Sequence, residues 1–490
     1  MPPARLSRVG LAVVFIGLVG FCLLFLDSSP LSDTPVKLNE PADGSKLIIQ
    51  PPENITIPAP TPWCKPDECT TGRWLPRDPP FTTIAQFQAA YANRLDRLWK
   101  GCHAIPTTKP RTAEELDKAN EDRLMKVMNW TWTPYSGQMR PWNADEFMIR
   151  LMRSPGGLIL IGDSITQQHM HSLGYLLNQG DIQFDARQPH LPMHDHKNVH
   201  QLTLKPNVPK TLELLRRSGV PPSRLSRPVV TMLEDHMLIG EPEIRAITER
   251  LGASPTYHWY HDFQRVEGWE EFVENAAAPR EGEAKSVTED TVLMMNAGAH
   301  WSRHEFAMLP PRRTDKDEQA RVKETYKQMM KLITGRMAPI PQLSVYYRST
   351  SPGHPACERR ATPYENGPSA EHAEQNVVGR LQALVDTDDL KKQRRRWDWD
   401  LFPVHNQIWK WTIRRLNRER AWRETRIAQG EVPGARWFYM DLWSQAVQRP
   451  DAHSEPGVDC LHWCLPTLLN NWSFHLHHSL FLESLPPTES

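Results

Sequence analysis

Short apolar runs of strand length alternate along the chain with segments that carry apolar residues at helical spacing. Gly157-Leu158-Ile159-Leu160-Ile161 reads as a buried strand, and Met170, Leu173, Leu176 and Leu177 place a helix directly after it. Further strands are predicted at Val229 to Leu233, Thr291 to Met295, Leu343 to Tyr347 and Trp437 to Leu442. Helical periodicity marks Ile84 to Trp99, Ala113 to Met128, Glu241 to Leu251, Asp315 to Arg336 and His405 to Trp422. Ser164, in Gly162-Asp163-Ser164, therefore falls on a strand-to-helix turn. A serine there projects its hydroxyl above the carboxyl edge of a sheet, beside helix N–H groups that can stabilise a developing negative charge. The same residues also suit a plain helix cap.

A base for such a serine lies near the other end of the chain, in Val458-Asp459-Cys460-Leu461-His462-Trp463-Cys464-Leu465-Pro466. Asp459 and His462 stand three apart, a spacing that puts both on one face of a helical turn. There a carboxylate can hold one imidazole nitrogen while the other faces the serine. A capping Asp and a core His is the competing reading.

Two further segments complete a pattern: Asn296-Ala297-Gly298-Ala299-His300-Trp301, and Tyr347-Arg348-Ser349-Thr350-Ser351-Pro352-Gly353-His354, each after an apolar run. Together with Gly162-Asp163-Ser164 and the Asp459 to Pro466 stretch, they resemble the PC-esterase superfamily, most of all its trichome-birefringence-like polysaccharide O-acetyltransferases. The resemblance covers residues 60 to 485. It implies an α/β fold, an SGNH-hydrolase-like three-layer αβα domain with a mainly parallel sheet, beside a small Cys- and Trp-rich N-terminal lobe.

It also implies a Ser164, His462 and Asp459 triad, with an oxyanion held by the Ser164 N–H and the Asn296 side chain. Arg348, His300, Trp301 and Trp463 are candidates for substrate contact, Arg348 equally for a structural salt bridge; Gly298 would let the backbone approach closely, and a plain Asn-Ala-Gly turn closing the strand is the alternative at Asn296. The activity implied is transfer of an acetyl group through an acyl-serine onto a polysaccharide hydroxyl. Acetyl-CoA or another activated carrier would serve as co-substrate, with no bound cofactor. An O-acetylesterase shares every catalytic residue, and a non-catalytic glycan-binding protein is a third reading. This sequence departs from the relatives in three places: Gln167 replaces their arginine three residues after the serine, Thr467 replaces a glycine, and Asn470-Asn471-Trp472-Ser473 replaces Asp-x-Trp-Asn.

Charge narrows the partners. Lys+Arg and Asp+Glu both count 58 in 490 residues, so no basic excess points to nucleic acid. The 18 tryptophans suit either a core or a surface that stacks on sugar rings. Glu234-Asp235-His236, at a strand's carboxyl end, is a candidate for substrate contact. His190, His194, His196 and His200 are expected to form a solvated loop, and the basic run in Leu390 to Trp399 a solvated helix face.

The start of the chain adds location. Val9 to Leu26 is an unbroken apolar run with Arg5 and Arg8 before it and Asp27 after it. It reads as a single-pass type II anchor whose C-terminal bulk faces a lumen. No small-x-small site follows in Asp27-Ser28-Ser29-Pro30 to favour a cleaved signal peptide. So short a span suits Golgi or ER membranes. Residues 1–8 would be cytoplasmic, 27–62 a flexible stem, 63–153 the lobe and 154–490 the catalytic domain. Asn54, Asn129 and Asn471 head glycosylation sequons. With one span the chain cannot carry acetyl groups across the membrane, so a transporting partner or a lumenal donor is expected. Cys64, Cys69, Cys102, Cys357, Cys460 and Cys464 fit three disulfides of open connectivity. Zinc at Cys460, His462 and Cys464 is the rival, disfavoured because thiols in an oxidising lumen usually pair.

Overall fold

The computed structural model describes residues 62–91, 102–185, 197–258, 264–383, 397–426 and 433–485. The expected anchor, the stem with Asn54, His190, His194, His196, the end of the Ile84 to Trp99 helix and most of the basic run before Trp399 lie outside them. Among the described residues no helix is long and apolar enough to cross a membrane.

After a single helical turn at Pro66–Cys69, the described residues form β1 (Gly72–Pro76), α1 (Ile84–Ala90), α2 (Ala113–Met128), β2 (Trp130–Pro134) and α3 (Ala144–Met152). Next come β3 (Leu158–Gly162), α4 (Ser164–Asn178), β4 (Phe184–Asp185), β5 (Val199–Leu204), α5 (Pro209–Ser218), β6 (Val230–Glu234), α6 (Glu241–Arg250) and α7 (Trp269–Ala277). The last part holds β7 (Thr291–Met295), α8 (Asp315–Met337), β8 (Leu343–Arg348), α9 (Gly367–Ala383), α10 (Phe402–Glu424), β9 (Arg436–Met440), β10 (His453–Glu455), β11 (Asp459–Trp463) and α11 (Thr467–Glu483).

Seven strands form one sheet in the order β4-β5-β6-β3-β7-β8-β9. The five from β6 to β9 run parallel, while β5 and β4 add an antiparallel edge. The parallel strands are apolar at nearly every position because both faces are covered. Leu158, Leu160, Val292 and Met294 pack with α3, α4 and α11 on one side, whereas Ile159, Ile161, Leu293 and Met295 pack with α6, α7, α8 and α10 on the other. This is a mixed α/β fold with a mainly parallel central sheet between helical layers.

Residues 62–153 share the first of these cores. Leu124 and Val127 of α2 and Trp74 and Trp132 of β1 and β2 belong to it. Trp74 donates its indole N–H to the carbonyl of Gln445 at 2.9 Å, and the Arg449 guanidinium lies 4.6 Å over its ring. The three expected disulfides are present as Cys64–Cys69, Cys102–Cys464 and Cys357–Cys460.

Arg123 of α2, 9% exposed, ties this segment to the far end of the chain. It donates to the carbonyls of His103 at 2.7 Å and Asp451 at 2.9 Å, and to that of His453. Replacing it strands several buried acceptors at once. Arg123→Leu is expected to cost about 3 kcal/mol. The check is the denaturation midpoint, which should fall at an unchanged slope.

Candidate active site

Ser164 opens α4 directly after β3, and the neighbours of β3 lead away in opposite directions: β6 on one side, β7 on the other. Such a reversal leaves a crevice at the carboxyl ends of the strands. Gly162 allows the tight exit from β3, since a Cβ there would stand 2.5 Å from Thr166 Oγ1 and 2.7 Å from the Asn296 carbonyl oxygen. Asp163 is the helix cap, its Oδ1 accepting from the Ile165 N–H at 3.1 Å. With capping done by Asp163, the Ser164 hydroxyl is left to meet His462 Nε2 at 2.7 Å.

His462 lies on β11, which pairs antiparallel with β10, and not on the helical turn that the spacing predicted. Residues three apart on a strand face opposite ways. A local turn corrects this: Asp459 Oδ1 accepts from the N–H groups of Leu461 at 2.9 Å and His462 at 3.1 Å, which brings Oδ2 to 2.6 Å from His462 Nδ1. Spacing alone does not distinguish such a side-chain turn from a helix.

The electrostatics follow from these bonds. Burial opposes charge on Asp459, but the bond to His462, its charge and the two backbone N–H groups outweigh that and hold the carboxyl well below its usual range. Burial likewise opposes charge on His462. The Asp459 bond and charge, with Asp163 and Glu455 further off, prevail and raise its pKa. A neutral His462 bonded this way keeps Nδ1 protonated and Nε2 free to take the Ser164 proton.

Several side chains pin the hairpin to the helix. Gln168, one turn after Ser164, donates to the Trp463 carbonyl at 3.0 Å and accepts from the Trp463 N–H at 3.0 Å. The two disulfides at Cys460 and Cys464 bracket His462. Both sulfurs are bonded to different partners and both His462 nitrogens are engaged, which removes the zinc alternative. Behind the strand, buried His453 meets the His462 carbonyl at 3.0 Å through Nδ1, and its Nε2 meets His354 Nδ1 at 2.6 Å. Among the described residues, the two gatherings with ligand spacing, Cys64–Cys69–His478 and Cys357–Glu358–Cys460, have their sulfurs in disulfides.

The remaining motif residues divide by burial. Trp301, Trp463 and Arg348 are at most 1% exposed, so the expectation that they touch substrate is corrected. Trp301 stands edge-on to Tyr326 in the core, and Trp463 stacks on His453. Arg348 donates to Thr166 Oγ1 at 3.0 Å, its guanidinium 4.4 Å over the Trp472 ring. Asn296 sits at the tip of β7, where its amide donates to the Arg348 carbonyl at 2.9 Å and lies 3.3 Å from Thr350 Oγ1. That clasp joins β7 to the segment after β8 and occupies the buried amide, so the expectation that the Asn296 side chain holds the oxyanion is corrected. Gly298 permits the clasp, since a Cβ there would lie 2.2 Å from Thr350 Oγ1.

His300 follows the carboxyl end of β7 and is stacked on His236 with ring centroids 3.9 Å apart. His236 lies 3.5 Å from Glu234, which Gln167 also approaches at 3.5 Å. Asp235, by contrast, is buried and accepts from the N–H groups of Met237, Leu238 and Val266. Of the three departures only Gln167 borders the crevice; Thr467 and Asn470 are buried, so they do not shape an acceptor site. His200 is exposed but lies on β5, next to the short edge strand β4, and not in the loop expected for it. The Asn129 amide is bonded both ways to the Phe81 backbone, and Asn471 lies within α11 beside buried Ser473, neither a free surface loop. A cavity of about 360 Å³ lined by Arg227, Thr231 and Phe272 opens at the opposite, amino-terminal edge of the strands. It is not part of this site.

Comparison with known protein families and with curated proteins returned no match.

Three outcomes are expected with a small activated acetyl ester. Because the neutral imidazole accepts the proton and Asp459 raises its pKa, kcat/KM should rise with pH through a midpoint above the ordinary value of about 6.5. Asp459→Asn should move that midpoint down and lower the plateau. Gln168→Leu should lower kcat about a hundredfold, through misplacement of His462, with KM little changed and the fold intact by circular dichroism.

Proposed function

We propose that this chain is an acetyl-transferring serine enzyme that modifies hydroxyl groups of a polysaccharide. The observation that carries the reading is the continuous bonding from Ser164 Oγ to His462 Nε2 at 2.7 Å and from His462 Nδ1 to Asp459 at 2.6 Å, at the sheet's switch point. The resemblance of the four motifs to polysaccharide O-acetyltransferases supplies the direction of transfer.

In the first step Ser164 Oγ attacks the carbonyl carbon of an activated acetyl ester or thioester while its proton passes to His462 Nε2. The oxyanion faces the N–H of Ser164 at the start of α4, where the helix dipole favours negative charge. Collapse expels the carrier, which leaves with the proton from His462. In the second step a sugar hydroxyl gives its proton to His462, its oxygen attacks the acetyl-serine carbonyl, and the proton returns to Ser164 Oγ. In this reading the acceptor lies against Gln167, Glu234, His236 and His300, which stand at or after the carboxyl ends of β3, β6 and β7 and contact one another. Disulfides across the described residues support the reading of a lumenal, type II protein of the Golgi or ER.

Water in place of the sugar would make the same site an acetylesterase, and product analysis separates the two. The test is incubation of the full-length chain with an isotopically labelled acetyl donor and neutral or acidic polysaccharides. The expected result is label on sugar hydroxyls in excess of free acetate, lost in Ser164→Ala. Release of free acetate at a rate indifferent to acceptor assigns the esterase, and no consumption of any donor overturns the reading.

A further inference from the structure

The helix α10 has a side that the site does not use. Its inward face, with His405, Ile408, Trp409, Thr412, Ile413 and Leu416, is buried. On the outward face Trp411, Arg415, Arg418 and Trp422 follow at steps of four, three and four residues, so all four line one stripe about 16 Å long. Trp411 is 61% exposed and Trp422 60%, and no other described tryptophan is exposed.

Exposing two indoles to water is unfavourable unless something covers them. The charge around them is one-sided. The helix carries Lys410, Arg414, Arg415, Arg418, Arg420 and Arg423 against Glu419 and Glu424. Lys410 pairs with Asp441, Arg415 with Glu419 and Arg420 with Glu424. Arg414, Arg418 and Arg423 enter no ion pair among the described residues. The stripe thus offers the Trp411 ring and the side of the Trp422 ring away from Arg426, whose guanidinium lies 4.8 Å from it, with cations between them.

We propose that Trp411, Arg415, Arg418 and Trp422 form a binding surface for an acidic polysaccharide, whose sugar rings stack on the indoles while its carboxylates meet the arginines. An anionic membrane would match the charge as well. Yet the other exposed large apolar residues, Leu116, Tyr135, Leu212 and Val458, lie outside this helix, so two indoles alone make its outward apolar face, far narrower than the broad apolar face by which a helix lies in a membrane. The position also fits a polymer. α10 connects the parallel strands β8 and β9, so it starts at the carboxyl edge of the sheet, where Ser164 lies. Asn406 in its first turns holds the Thr350 N–H at 2.7 Å and the Thr350 carbonyl at 2.9 Å. The stripe therefore begins within two turns of the segment that follows the carboxyl end of β8. The choice of a sugar polymer rests on the proposed glycan chemistry, whereas binding is measured without turnover.

The experiment is binding of polygalacturonate to the full-length chain by affinity electrophoresis and titration calorimetry, beside dextran and phosphatidylserine vesicles. Binding to polygalacturonate that weakens with salt, falls about tenfold in Trp411→Ala and again in Trp422→Ala, and drops in Arg415→Gln/Arg418→Gln supports the surface. Ser164→Ala should bind as well as the parent, and the tryptophan variants should turn over a small acetyl ester normally. Polygalacturonate bound equally by parent and stripe variants, no binding by the parent, or stripe-dependent binding to vesicles alone overturns it. A parent that binds but transfers no acetyl group leaves the surface standing and removes the acyl-transfer reading.

Discussion

The arrangement depends on one non-local contact: the hydrogen bond between Ser164 and His462, residues 298 apart in sequence. Ser164 is carried by the central sheet, whereas His462 stands on a two-stranded hairpin outside it. A bond of this kind is lost over a shift of about 1 Å, so the hairpin must be held in place by other means. Gln168 does this at shortest range, because its amide bonds both ways to the residue after His462. Cys357–Cys460 and Cys102–Cys464 do it covalently on either side, and Arg123 does it from below through the carbonyls of β10 and its approach. Much of residues 62–153 is thereby explained as support for the hairpin.

The same contact sets the electrostatics. Burial alone would neutralise both Asp459 and His462. Their mutual bond reverses that, keeping the carboxylate ionised and the imidazole more basic than usual. Histidines without such a partner go the other way: burial lowers the pKa of His169, His354, His405 and His453. His462 is thus set apart by its carboxylate and by its access to Ser164, not by being a buried imidazole.

Much of the sheet was legible because each central strand is buried on both faces and so reads as a continuous apolar run. The α2 helix spans the predicted Ala113 to Met128, helped by a capping box in which Thr112 and Glu115 bond each other's backbone N–H groups. The turn after β3 and its serine were legible for the same local reason. What sequence did not show is non-local. A spacing of three between Asp459 and His462 fits a helix and a side-chain turn equally, and the pairing of β11 with β10 decides. Gln168 carries no signal of its own, because its partner is a backbone 295 residues away. Trp301, Trp463 and Arg348 share motifs with surface chemistry, yet their burial is set by α8, the β10–β11 hairpin and α11. Helical spacing could have revealed the Trp411 to Trp422 stripe, since its members recur on one face.

The central claim is that His462 and Asp459 activate Ser164 in the folded protein. It is tested most directly by a fluorophosphonate that phosphonylates activated serines, followed by peptide mapping. The account predicts a single adduct at Ser164, absent in His462→Ala, slowed in Asp459→Asn and lost on unfolding. Absence of an adduct on the folded chain, or an adduct at Ser164 that forms equally fast without His462, would contradict it.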